Sequence, residues 1–135
     1  MDSQRQSQHF QHRRRQGFCH SGSIYKNNLF FTDENNGLGV KNYNISNLQN
    51  PLYINTISSN SNAIPHNTYV NKSFLWLSSY QDGVNVWSIE DPDNPIFVGY
   101  YDTYPQNNPN IYSGLKGCWS IYPYLPSAYV LAADM

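Results

Sequence analysis

Charge is in short supply. Asp, Glu, Lys and Arg make up 13% of the 135 residues and the net charge is −1, so no long-range field draws the chain to nucleic acid or to an anionic membrane. The one basic cluster, Arg13 to Arg15, sits in the polar, Gln-rich stretch "QHFQHRRRQG", which has no aromatic or helical pattern from which to build a binding surface. Residues 1–16 therefore read as a disordered leader and residues 17–135 as one domain. Long apolar runs are also missing. "QGFCHSGS", after the arginines, is too polar for a secretory signal, whose apolar core needs about 7–15 residues. Elsewhere the apolar stretches are short and broken by Asn, Ser or Pro, which excludes a membrane-spanning helix and with it membrane insertion.

Cysteine is nearly absent. Cys19 and Cys118 fit no metal-ligand spacing. They read either as a disulfide pair in an exported chain or as two separate buried thiols, and spacing leaves both open. The motifs of several enzyme classes are missing too. There is no G-x-S-x-G nucleophile elbow and no phosphate-cradling G-x-G-x-x-G. Helical patterning is lacking throughout: the chain holds 18 Asn, 8 Gly and 8 Pro, and no stretch of ten places apolar residues at i, i+3, i+4 and i+7.

What is present is a repeat. "GVKNYNISNLQNPLYIN" (Gly39 to Asn55) returns 44 residues later as "GVNVWSIEDPDNPIFVG" (Gly83 to Gly99) without a gap. Gly39/Gly83, Val40/Val84, Ile45/Ile89, Asn50/Asn94 and Pro51/Pro95 are identical, and Tyr43/Trp87, Leu52/Ile96, Tyr53/Phe97 and Ile54/Val98 are conservative. The ungapped register, continued upstream, pairs Asn27 with Asn71 and Phe30 with Phe74.

Within the unit, "SFLWLSSY" and "GVNVWSI" are short runs of β-branched and aromatic residues joined through the Asp-Gly of "QDG", a hairpin signal. "EDPDNP" stacks turn formers, "PIFVGYY" begins another strand, and "HNTYV" supplies one upstream. In "GVNVWSI" both faces are largely apolar, as in a strand packed on two sides. Four short strands in 44 residues with no helix predict an all-β fold of β-propeller blades. A third copy starts at "CWSIYPYLPSAYVLAADM", with Tyr122 in the place of Tyr69, and the expectation is about two and a half four-stranded blades in an incomplete ring. One blade cannot bury both its faces, so closure calls for the remaining blades of a parent protein or for self-association.

The phrase "GVNVWSIEDPDNPIFVGYY" resembles the LVIVD repeat. The ordered series "CHSGSIYKNNLFFTDENNG", "AIPHNTYV", "YYDTYPQNN" and "GCWSIYPYLPSAYVLAADM" resembles bacterial surface proteins of the choice-of-anchor B type, many from Bacteroidetes. The resemblance covers about residues 17–135. It implies an exported β-propeller, displayed at the cell surface or released, of which this chain is a fragment lacking the family's signal peptide, later blade and C-terminal anchor.

Few polar residues are left over for chemistry. His20 and His66 stand at comparable places before the first strands of their units, and with Glu34 they form a His/His/carboxylate set suited to a divalent transition metal such as Zn²⁺. The plainer reading makes the histidines strand caps, and Asp33 and Glu34 turn residues. The aromatic surplus, 12 Tyr, 6 Phe and 3 Trp, divides likewise. Tyr104, Tyr112 and Trp119, near the longest connection, are candidates for stacking on a carbohydrate or gripping a protein ligand; otherwise they fill wedges between blades. The sequence thus points to a non-catalytic interaction module without a cofactor. A metal-dependent hydrolase with His20, Glu34 and His66 as ligands is the alternative.

Overall fold

Ten strands and no helix make up the described part of the chain, which in the computed structural model comprises residues 17–106, 112 and 114–135. The leader expected over residues 1–16 and part of the long connection lie outside the described residues. The strands are β1 (Cys19–Tyr25), β2 (Asn28–Asp33), β3 (Val40–Asn44), β4 (Leu52–Ile57), β5 (Asn67–Asn71), β6 (Phe74–Ser78), β7 (Val84–Ser88), β8 (Ile96–Tyr101), β9 (Cys118–Tyr122) and β10 (Leu131–Asp134). They form two four-stranded antiparallel meanders, β1-β2-β3-β4 and β5-β6-β7-β8, and a two-stranded sheet of β9 and β10, none of them closed. The all-β class and the strand-by-strand reading of the repeat agree with this architecture.

Turn chemistry explains the connections. β1 to β2 and β5 to β6 are tight hairpins whose corners, Lys26 and Lys72, both take positive φ, 52° and 54°. Gly83 closes the β6–β7 turn with φ 72°, and a Cβ there would stand 2.2 Å from the Tyr101 carbonyl oxygen, so only glycine fits.

The ungapped register does not hold upstream of the repeated glycine. Thr32 pairs with Val40, whereas the equivalent pair is Ser78 with Val84, so the β2–β3 loop is two residues longer than the β6–β7 loop. The spatial counterpart of Asn27 is accordingly Ser73, not Asn71, and that of Phe30 is Trp76, not Phe74.

The apolar core lies between the sheets. Phe30 and Val40 of the first sheet meet Leu75, Leu77, Trp87 and Ile89 from the second, all buried. Val84 of the second sheet meets Cys118 and Ile121 of the third, with Trp76, Val86 and Val130 packed around them. β7 is thus apolar on both faces because each face covers a different neighbour. Leu29 and Phe31, the counterparts of Leu75 and Leu77, face away from the second sheet and stay half-buried.

A polar clamp also joins the first two sheets. Asn28 and Asn42, both buried, and Asn55 stand on β2, β3 and β4 and grip the turn that follows β7. Asn28 donates to Asp93 Oδ1 (2.8 Å), Asn42 to the Pro92 carbonyl (2.8 Å) and Asn55 to the Asp93 carbonyl (2.8 Å). These asparagines are not turn formers; their amides tie the turn after β7 to the first sheet.

Candidate functional site

The first strands of the three sheets run side by side, β1 against β5 and β5 against β9. Small polar side chains seal the first contact: Thr32 donates to the His66 carbonyl (2.8 Å) and Ser23 to the Thr68 carbonyl (2.8 Å). At the start of each strand stands a ring. His20 and His66 stack with centroids 4.1 Å apart and planes 24° off parallel, Trp119 stacks on the other face of His66 at 5.9 Å, and Phe18 continues the column beyond His20 at 6.3 Å. His20, His66 and Trp119 hold corresponding places in successive units.

Glu34 comes to this column from the longer β2–β3 loop. Its Oε1 accepts from His66 Nδ1 (2.6 Å) and from the Tyr80 hydroxyl (2.5 Å), and its Oε2 lies 3.4 Å from His20 Nδ1. The three residues singled out as a metal set therefore converge, with one ligand atom from each within 4.8 Å of the others. His66 and Glu34 are enclosed, their side chains 4% and 10% exposed, whereas His20 is 34% exposed and opens the set to solvent. Burial lowers the His66 pKa, opposed by the Glu34 hydrogen bond and reinforced by His20, which favours the neutral imidazole. Burial and then the Glu34 hydrogen bond raise the Tyr80 pKa, so its hydroxyl keeps its proton and donates.

Tyr80 is the member that sequence reasoning missed. It is the counterpart of Glu34 once the two-residue loop difference is taken into account; the ungapped register set Ser78 opposite Glu34 instead. Its positive φ of 39° turns its backbone toward β9, where it exchanges hydrogen bonds with Cys118 (3.0 and 2.8 Å).

The three candidate aromatics do not converge. Trp119 belongs to the ring column. Tyr112 donates to Asp82 Oδ1 (2.8 Å) in the β6–β7 turn, and the Tyr104 amide bonds Asp102 (2.8 Å). Cys19 and Cys118 are both free thiols: Cys19 is exposed, and Cys118 is buried with Val84 and Ile121, its Sγ directed to the Ser120 carbonyl. That arrangement corrects the disulfide alternative and half of the other one, since only one thiol is buried.

A concavity lies elsewhere, where the segment 123–130 passes over β6. It has a volume of about 450 Å³ and is lined by Asn71, Lys72, Trp76, Tyr124, Tyr129 and Val130 among others. Trp76 lines it with its ring, while its Nε1 is buried with no hydrogen-bond acceptor among the described residues. None of these residues is one of the three candidate aromatics.

In comparisons with protein-family models, curated proteins and solved structures, nothing matches this chain.

Proposed function

We propose that the chain is a non-catalytic binding module built from propeller-type blades and that it takes a carbohydrate in the cavity over β6. The carrying observation is the aromatic lining of a cavity of about 450 Å³, where Trp76, Tyr124 and Tyr129 come together, a size suited to a small ligand. Trp76, Tyr124 and Tyr129 supply ring faces for a sugar's C–H surface, and Asn71 and Lys72 add polar groups at the rim. The 44-residue repeat and the stacking of two like sheets support the blade reading. Export and surface display rest on the resemblance to choice-of-anchor B proteins.

A glycan array followed by calorimetric titration with the best sugar tests the proposal. Saturable binding that weakens about tenfold in Tyr129→Ala, which removes one exposed stacking ring, is the expected result. No saturable binding to any sugar, or equal affinity in Tyr129→Ala, overturns it.

A further inference from the structure

We infer that His20, Glu34 and His66 bind a divalent transition-metal ion, with Zn²⁺ the best fit. Two imidazole nitrogens and a carboxylate are the donor chemistry of zinc centres that keep a fourth position for another ligand. The three residues come from separate places, β1, the β2–β3 loop and the residue before β5, and two successive repeat units contribute. Four-coordinate zinc holds its ligand atoms about 2.0–2.2 Å away, hence roughly 3.4 Å from one another. The atoms here already lie within 4.8 Å of one another. His20 Nδ1 already stands 3.4 Å from Glu34 Oε2, so an ion needs only His66 Nδ1 and Glu34 Oε1, 2.6 Å apart in their hydrogen bond, to move apart to that spacing.

The surroundings suit a metal. Metal-ligating carboxylates are themselves hydrogen-bonded, and the Tyr80 hydroxyl already orients Glu34 in this way. On binding, the ion takes the place of the hydrogen bond between His66 Nδ1 and Glu34; the neutral imidazole keeps its one proton on Nε2 and turns the Nδ1 lone pair to the ion, so no proton is released. No covalent chemistry is required. This site stands independently of the sugar cavity, from which it shares no lining residue.

The test is titration of the chelator-stripped full chain with ZnCl₂ by calorimetry, and with CoCl₂ by visible absorption, with circular dichroism to confirm folding. One ion per chain and the ligand-field bands of four-coordinate cobalt are expected. His20→Ala changes an exposed side chain and leaves the buried pair intact, so it keeps the fold and loses the stoichiometric ion. Tyr80→Phe keeps the three ligands and weakens binding by about 10–100-fold. A folded wild-type chain that takes up no ion overturns the inference, as does His20→Ala binding with unchanged affinity, which would place the ion on other His or Cys residues.

Discussion

The Tyr80 hydroxyl lies 2.5 Å from Glu34 Oε1, and through this contact the turn after β6 holds the loop after β2. Both groups are shielded from water, so the bond joins a proton-retaining phenol to a carboxylate where few other donors are at hand. Removing the hydroxyl leaves the carboxylate with His66 and the more distant His20. Tyr80→Phe is expected to destabilise the metal-free chain by about 1.5–3 kcal/mol, the range for a hydrogen bond to a charged group. Urea unfolding at neutral pH measures it, and a loss below about 0.5 kcal/mol would show the contact to be incidental.

Equivalent leucines should differ in cost. Leu75 is fully buried between the first two sheets, while its counterpart Leu29 faces outward and is half-buried. Leu75→Ala is expected to cost about 2–5 kcal/mol, and Leu29→Ala about half of that or less. Equal losses would mean that the outward face of the first sheet is covered in solution.

Two glycines make a matched pair. At Gly83, φ is 72° and a Cβ would meet the Tyr101 carbonyl at 2.2 Å; at Gly99, nothing lies within 4 Å. Gly83→Ala should destabilise by about 2 kcal/mol or more, and Gly99→Ala should fall within about 0.5 kcal/mol of wild type. Melting temperatures of the two variants decide the matter.

The two thiols should differ in reactivity and in their response to alkali. Burial, with Asp134 nearby, pushes the Cys118 thiol up to about 12, while Cys19 is exposed. Native protein at pH 8 should therefore give one fast thiol with an aromatic disulfide reagent, and a second only on unfolding. The folded thiol keeps its proton where the unfolded one, near 8.5, loses it. Its contribution to stability is thus intact below about pH 8.5 and is lost as pH rises toward 12. Cys118→Ala should flatten that alkaline limb; an unchanged pH profile would refute the assignment.

Local chemistry explains how much of this was legible. The β6–β7 hairpin is visible because Asp82-Gly83 is a turn whatever surrounds it, and β7 reads as doubly packed because both its faces are apolar. His20, Glu34 and His66 could be named because little else in the chain ligates metal. Tyr80 was hidden because its role depends on a two-residue difference in loop length that the repeated phrase itself, starting at the glycine, does not contain. The cavity was hidden because Trp76, Tyr124 and Tyr129 come from segments joined only by the path of the chain. Asn28, Asn42 and Asn55 were read as punctuation, since composition does not show that three strand amides face one turn.

That trio of amides gives the stack a direction. The second sheet offers Phe74, Val86 and Gly99 at the places of Asn28, Asn42 and Asn55, so it cannot grip a neighbour's Asp-Pro-Asp-Asn turn in the same way. Two copies of the second unit would lack these three bonds across their seam. Near-identical units in one chain invite mispairing during folding; here the amide trio marks the seam between the first and second units and disfavours a seam between two copies of the second.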